Sequence, residues 1–469
     1  MDTDMVRDWN NKIPLPVKRI LRRLDKAGFE AYIVGGCVRD MILGRTPHDW
    51  DITTDATPDQ ILAVFKGNQC FEVGKEHGTI TVMMNGEPFE VTTYRIDGTY
   101  SDNRRPDSVE FTNNLIQDLQ RRDFTMNAMA YRPEDGVGLV DPYNGTESLS
   151  SGVISCVGKP NNRFAEDGLR ILRALRFAAQ LGFAIEKDTA DSVHKKKYLL
   201  DKISKERINA ELTKILMSGH CGVPVLREYS DVIAQVIPEI GATIGFEQHN
   251  PYHEYDVWEH TLHSLDAVPH DADLYVRLAV LLHDVGKPIA FTMDGERGHF
   301  YGHPVISGEL THKILTNLKC SNEVITNVTQ LVTFHDVVFT PTKASVKRLL
   351  NKLGAEQLRR LFIIRECDIK GQTSFAQKDR LDKVKEMREI LDWIIEQEEC
   401  FQLKDLAING KDLLAIGIPE GKEIGRILNM CLAYVIDGTV DNTKENLMEI
   451  VQTTIIPLSK QTTINTKEG

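Results

Sequence analysis

The chain has 469 residues, too many for one hydrophobic core and enough for roughly three to four domains. Its 41% hydrophobic and 26% charged residues are ordinary for a soluble globular protein, and no apolar run approaches the ~20 residues that a bilayer requires. A net charge of −12 argues against indiscriminate nucleic-acid binding while leaving room for a local basic face. The eight cysteines are scattered with no CxxC pair, which indicates neither a zinc ribbon nor a disulfide framework. The N-terminal MDTDMVRDWNNKIPLP lacks the apolar core of a secretory signal, so reduced thiols, no membrane span and a cytoplasmic location are expected.

In chain order, AYIV (31–34) reads as a short buried strand ending at Gly35-Gly36, and CVRDMILG (37–44) has helical spacing that stops at Gly44. Glycines at such a strand-to-helix turn let backbone N–H groups approach an anion, with the helix N-terminus adding partial positive charge and Arg39 available to clamp a phosphate. Taken alone, the two glycines need be no more than a tight turn. The next stretch, HDWDIT (48–53), alternates as a strand and so places Asp49 and Asp51 on one face. ATPDQILAVF (56–65) then predicts a helix with Thr57 as N-cap, Pro58 at the first position and Gln60 closing a capping box.

TITVMMNGEPFEVTTYR (79–95) predicts two strands around an Asn85-Gly86 turn, with Glu90 facing away from Phe89 and Val91 as a third converging carboxylate. Three such carboxylates repel unless cations neutralise them. Hard oxygen ligands of this kind suit Mg²⁺ together with substrate phosphates, which fits two-metal phosphoryl transfer. RIDGTYSDNRRPDSVEF (95–111) reads as a mobile loop. Further on, EDGLRILRALRF (166–177) spaces Asp167 and Arg170 three apart, neighbours on a helix face that offer an acceptor beside a donor. Cytosine and adenine show the complementary order on their pairing edges, whereas guanine and uracil invert it. An exposed intrahelical ion pair is the plain alternative. Arg173 and Arg176 continue a basic flank able to meet triphosphate or RNA, and SVHKKKYLLDKISKERINAELTKIL (192–216) is a candidate RNA-facing basic patch.

Gly35-Gly36 with Arg39-Asp40, Asp49-x-Asp51, RRDFTMNAMA (121–130), DPYNGTESL (141–149), EDGLRILRALRF and ISKERINAEL together resemble the motif series of class II tRNA nucleotidyltransferases, the CCA-adding enzymes, and of the related bacterial poly(A) polymerases. The resemblance covers most of the chain. It implies a polymerase-beta-like head in which Asp49 and Asp51 hold catalytic Mg²⁺, with Glu90 beside them. It also implies a nucleotide site comprising Gly36, Arg39, Arg122 for the triphosphate, Asp167, Arg170, Arg173 and Arg176. Arg121 either assists or faces solvent. A flexible loop at 95–111, as the family carries, equips such a chain for the final A.

A second constellation runs through YDVWEHTLHSL, AVLLHDVGKP, FYGHPVISG, VTFHD and IIRECDIKG (255–371) and resembles an HD-superfamily metal domain. The resemblance assigns His260, His283, Asp284, His303, His335 and Asp368 as ligands. His303 falls in a predicted loop, and His263 and Asp336 are neighbours. Imidazoles and carboxylates in this mixture suit one or two divalent transition metals that activate water.

The expected fold is α+β: a nucleotidyltransferase head of mixed sheet and helices (1–146), then all-α neck (147–222), HD (223–370) and C-terminal (371–469) regions. The expected activity is addition of C, C and A to the tRNA 3′ end from CTP and ATP, with HD phosphohydrolase side activity. Two alternatives stand beside it: a poly(A) polymerase, and an HD phosphohydrolase whose head only binds RNA. The C-terminal helices and a tail that is not strongly basic favour CCA addition over poly(A) synthesis.

Overall fold

The computed structural model describes residues 9–98, 108–133, 138–250, 254–338, 340–373 and 377–457. Two compact units emerge: one extends to Gly241 and includes Asn317–Cys320, the other comprises Ala242–Thr316 and the chain from Ser321.

The first unit starts with helix α1 (Leu15–Lys26), which buries Val17, Ile20, Leu21 and Leu24, one stripe of an amphipathic helix. Strands β1 (Ala31–Val34), β2 (Asp51–Thr54), β3 (Cys70–Phe71), β4 (Thr79–Met84), β5 (Glu87–Thr93), β8 (Ala130–Arg132) and β9 (Gly138–Val140) form a seven-stranded sheet in the order β3-β4-β5-β2-β1-β8-β9. The sheet is mixed. Its only parallel pair is β2 with β5, while the other neighbours run antiparallel. Asn85 and Gly86 both adopt positive φ (56° and 86°), the geometry that a two-residue hairpin between β4 and β5 requires.

Strands β6 (Arg95–Asp97) and β7 (Val109–Phe111) make a separate hairpin at the two ends of the stretch read as a loop. Residues 99–107 of that stretch lie outside the described residues, as does the tail from 458.

Helix α2 (Gly36–Ile42) packs Cys37, Val38 and Met41 inward, and α3 (Pro58–Val64) begins where expected, with the Thr57 N–H donating to Gln60 Oε1 at 2.8 Å. Beyond the sheet come α4 (Leu115–Gln120), α5 (Gly145–Ser151), α6 (Pro160–Glu166), α7 (Leu169–Leu181), α8 (Lys187–Lys196), α9 (Lys205–Leu216), α10 (Gly222–Glu228), α11 (Ser230–Val236) and α12 (Pro238–Gly241). A short parallel pair, β10 (Val153–Ile154) and β11 (Ala184–Ile185), joins the start of this helical region to the end of α7.

Among the described residues the second unit is helical apart from one hairpin, β12 (Thr292–Asp294) with β13 (Arg297–His299). Its helices are α13 (Val257–Asp266), α14 (Leu274–Leu282), α15 (Lys287–Ala290), α16 (His303–Asn317), α17 (Asn322–Phe334), α18 (Lys343–Leu353), α19 (Ala355–Lys370), α20 (Gln377–Glu396), α21 (Gly410–Ala415), α22 (Lys422–Ile436) and α23 (Lys444–Ile450). The last three close over a core that includes Leu413, Ile427, Cys431 and Leu447. Among the described residues, no helix is long and apolar enough to cross a membrane.

Candidate functional sites

In the parallel register Ile52 pairs with Val91, so one step earlier on each strand Asp51 lies beside Glu90. Both carboxylates are exposed, whereas Ile52 and Val91 point into the core. The strand expected across 48–53 is shorter than read: β2 begins at Asp51, and His48, Asp49 and Trp50 precede it. The reason is the partner. β1 ends at Val34 opposite Asp51, where Gly35 turns the chain, and the pairing with β5 begins only at Ile52 with Val91.

Desolvation beside the cleft raises the Asp51 carboxyl above the ordinary range, Arg122 opposes that, and the Asp49 charge adds to it. Glu90 is raised by burial and then by the charges of Asp51 and Asp49. The three acids therefore sense one another, yet among the described residues they do not form a set whose oxygens all lie within 4.8 Å.

Asp49 and Asp51 line a cleft of about 560 Å³ together with Gly35, Gly36, Arg39, Asp40, Arg122, Asp123, Arg173, Arg176, Phe177 and Lys214, among others; Glu90 stands outside this lining. Arg39 is fixed by Asp40 (Nε to Oδ1, 2.9 Å) and Asn127 (Nη1 to Oδ1, 2.9 Å). The guanidinium carbons of Arg39, Arg173 and Arg176 lie 5.2, 5.5 and 4.2 Å from the centre of the Phe177 ring. Phe177 thus seats three cations on one aromatic side chain.

Gly35, rather than Gly36, is the glycine that the turn requires. Its φ is +81°, and a Cβ there would stand 3.0 Å from Arg122 Nη1, whereas at Gly36 the nearest atom would be Arg39 Nη2 at 3.7 Å. Gly35→Ala is expected to raise the KM for both nucleotides and to lower the head's resistance to urea by about 1–2 kcal/mol, and Gly36→Ala to change either little. Equal effects of the two substitutions would contradict this assignment.

Arg122, Asp123 and Arg173 are shared with a second cavity of about 260 Å³, which is lined also by Arg121, Asp167, Leu169, Arg170 and Arg207. Here the helix expected over 166–177 is broken. Helix α6 stops at Glu166, Asp167 is extended (φ −137°, ψ 107°), and α7 starts at Leu169. Asp167 and Arg170 therefore do not share a helix face, and they do not pair as a surface ion pair would. Asp167 Oδ1 accepts the Leu169 N–H at 3.0 Å, and Oδ2 takes Arg207 Nη2 at 2.9 Å. Arg170 binds Glu166 at 2.6 Å and the Arg121 carbonyl at 3.0 Å.

The basic flank is largely neutralised. Arg173 grips buried Asp123 through Nε (2.8 Å) and Nη2 (2.5 Å), and Arg176, 8% exposed, faces Glu211 at 3.3 Å. Burial raises the Asp123 carboxyl, but Arg173 and Arg170 outweigh it and hold the group well below the carboxylate range. Arg121 does not face solvent alone, since it donates to buried Asp118 at 2.9 Å. The basic patch at 192–216 is split: Lys197 pairs with Asp231 at 2.8 Å, Lys214 lines the cleft and Arg207 the smaller cavity. The sequence reading missed Asp118, Asp123 and Phe177. The signal available was an acid next to the Arg121-Arg122 pair, which marks a counter-ion.

In the second unit His260, His283 and Asp368 bring one ligand atom each within 4.8 Å of one another, and so do Asp284, His303 and His335. Contrary to expectation, His303 opens helix α16 instead of lying in a loop. All four rings are anchored alike: their Nδ1 atoms face the carbonyls of Gly371 (3.1 Å), Val280 (2.8 Å), Phe300 (2.9 Å) and Val332 (2.6 Å) respectively. Nδ1 must then carry a proton, and Nε2 points inward. His260 and His283 bring these nitrogens to 3.2 Å, as do His303 and His335.

Asp284 serves both sets, with Oδ2 3.3 and 3.2 Å from His260 and His283, and Oδ1 3.3 and 3.6 Å from His303 and His335. Burial lowers the His260 imidazole, but Asp284 and Asp368 raise it to about 9, so the site calls for positive charge. Arg365 supports Asp368 (2.9 Å) and pairs with Asp336 (2.9 Å), while His263 stacks on Tyr255; neither Asp336 nor His263 enters a set. A cleft of about 320 Å³ beside the ligands is lined by Lys287, Arg297, His299 and Tyr301, among others.

Comparison with known proteins agrees with this architecture. Residues 31–155 match the family model of the Poly A polymerase head domain, 182–242 that of the probable RNA and SrmB-binding site of polymerase A, and 305–451 the putative tRNA nucleotidyltransferase domain 2. The chain is 31% identical to the CCA-adding enzyme of Limosilactobacillus reuteri over 93% of its own length and 96% of that protein's. It is 33% identical to the CCA-adding enzyme of Enterococcus faecalis, covering 92% and 94%. A crystal structure of the Bacillus stearothermophilus CCA-adding enzyme in complex with CTP superposes with a TM-score of 0.67 at 28% identity, covering 94% of this chain and 99% of that one. The chain belongs to the family of CCA-adding enzymes.

Proposed function

We propose that this protein adds C, C and A to the 3′ end of tRNA from CTP and ATP, joining nucleotides at the cleft of Asp49, Asp51 and Glu90 and choosing bases at the cavity of Asp167 and Arg170. The observation that carries this reading is the adjacency of the two cavities, which share Arg122, Asp123 and Arg173 as lining. A nucleotide spanning them places its phosphates among guanidiniums and its base against Asp167 and Arg170. The carboxylates, whose charges raise one another, fit hard divalent cations. Mg²⁺ bound there supplies charge neutralisation at the transferring phosphate and a more acidic 3′ hydroxyl. Arg122 and Arg39 hold the triphosphate in line, since planar guanidinium donors match phosphate oxygens.

Base choice follows from donor and acceptor order. Asp167 accepts the exocyclic amino group that C and A share, and Arg170 donates to the adjacent ring nitrogen. Because Arg207 and Glu166 take the other sides of these two groups, the pair does not collapse onto itself.

The decisive experiment uses tRNA lacking its CCA end and each triphosphate in turn. Wild type is expected to add C, C and A only; a run of A would favour the poly(A) reading. Asp167→Ala is expected to lose about ten- to a hundredfold in discrimination against U, the worth of one buried polar contact. Arg170→Ala is expected to weaken C and A together. Unchanged preference in both variants would refute the base-reading assignment.

A second activity is supported by the inward nitrogens of the second unit. Nε2 atoms paired at 3.2 Å beside buried carboxylates share a cation, a proton or a metal ion, and the donor sets His260, His283 and Asp368 and His303, His335 and Asp284 would each fit one divalent transition metal. Metals so held supply an activated water for phosphate-ester hydrolysis. Lys287 and Arg297 in the adjoining cleft suit the phosphate.

A further inference from the structure

Asp118 on helix α4 is fully buried in the first unit and gathers groups from three elements. Its Oδ1 accepts Arg121 Nη2 at 2.8 Å and the Arg95 N–H at 3.3 Å; its Oδ2 accepts the Thr53 hydroxyl at 3.3 Å and faces Arg122 Nη2 at 3.6 Å. Thr53 lies two residues beyond Asp51 on β2, hence on the same side of the strand. Arg95 leads β6, the strand whose Asp97 in turn holds Arg95 Nε at 3.0 Å. Burial alone would favour a neutral Asp118, but Arg121 and Arg122 outweigh it and keep the group ionised.

Arg122 is thereby suspended. Gly35 gives it passage on one side, Asp118 holds one end, and its buried Nε has no hydrogen-bond partner among the described residues. A guanidinium held by one long ion pair keeps most of its donors for an anion. We infer that Asp118 is a positioning residue for nucleotide binding, the buried counter-ion that registers Arg121 and Arg122 against the catalytic strand so that Arg122 meets the triphosphate.

The inference rests on the reading of Arg122 as the triphosphate residue. Were Asp118 merely a core acid, its loss would lower stability without touching one substrate more than the other. As a positioning residue it acts on the nucleotide and leaves tRNA recognition alone. Asp118→Asn keeps the shape: its one amide oxygen can still accept the Arg95 N–H while its amide NH2 donates to the Thr53 hydroxyl oxygen, and the charge that holds the guanidiniums is removed.

The test measures KM and kcat for CTP and for ATP, KM for tRNA, and competitive inhibition by inorganic pyrophosphate, in wild type, Asp118→Asn, Arg122→Ala and the double variant, with thermal unfolding alongside. Asp118→Asn is expected to raise both nucleotide KM values and the pyrophosphate Ki about tenfold, with kcat and tRNA KM within about threefold of wild type. It is expected to add little to Arg122→Ala, because both act through one contact. Thr53→Val removes one tether and is expected to shift the nucleotide KM two- to threefold in the same direction, which keeps the question open to measurement if Asp118→Asn folds poorly. Arg122→Ala without effect on nucleotide KM would refute the triphosphate reading itself. Arg122→Ala with its effect, but Asp118→Asn and Thr53→Val shifting tRNA and nucleotide KM alike or adding in full to Arg122→Ala, would overturn the inference.

Discussion

Asp51→Ala is expected to reduce nucleotide addition by about 10³-fold or more, because the side chain proposed to hold the metals at the transferring phosphate is lost and electrostatic stabilisation is nearly all that such chemistry asks of a protein. Asp49→Ala is expected to act in the same way. Two further results separate this loss from misfolding. First, tRNA binding, measured by gel shift or anisotropy, should stay within about twofold of wild type. Second, the variant should resist heat as well as or better than wild type, because Asp51 and Glu90 each suffer from the charge of the other acids and removing one acid relieves the remaining two. Addition by Asp51→Ala at near wild-type rate would remove β2 from the chemistry.

Asp284→Ala is expected to abolish metal-dependent hydrolysis of phosphate esters and to leave C and A addition within about twofold of wild type. Among the described residues Asp284 is the one carboxylate with ion-pair contacts to all four imidazoles, and no residue of its cleft lines either cavity of the first unit. His283→Ala is expected to empty one set and disturb the other less. Metal analysis of the purified proteins gives a readout independent of turnover: bound transition metal should fall steeply in Asp284→Ala and by about half in His283→Ala. A wild-type protein that binds no divalent metal after supplementation would refute the hydrolase reading and leave CCA addition untouched. Equal loss of both activities in folded Asp284→Ala would refute the separation of the two sites.

How much of this was legible before folding depended on range. The strand, turn and helix at 31–44, the capping box at Thr57 and the Asn85-Gly86 hairpin carry their signals within a few residues, and each forms where those signals place it. Asp51 and Glu90 were legible as outward-facing acids, but their adjacency comes from a parallel register across 39 residues (|i−j| for the Thr53 and Thr92 of the same pairing) that no local pattern encodes. Long-range charge pairing was the main thing hidden. Arg173 and Arg176 look like a free basic flank until Asp123, fifty residues earlier (|i−j| = 50), and Glu211 (|i−j| = 35) are brought against them. The break at Asp167-Gly168 was hidden for another reason: helical spacing continues across it, and only the close approach of Leu199, 3.0 Å from a Cβ placed on Gly168, shows why the chain must step aside there.

The double use of Asp167 has a consequence for how such a protein can evolve. One carboxylate oxygen accepts the Leu169 N–H at the start of α7 and the other takes Arg207, while the group lines the cavity proposed to read the base. Losing this local hydrogen bond costs about 1 kcal/mol of folding free energy. On the proposed role of Asp167, a lineage that drifts toward careless base choice by losing this side chain would also make less folded protein, and selection on abundance would guard fidelity even when no individual misread tRNA is harmful. Only Asn, Ser or Thr at this position would keep the turn closed while changing what the base meets, so these three are the narrow corridor through which altered nucleotide preference can arise.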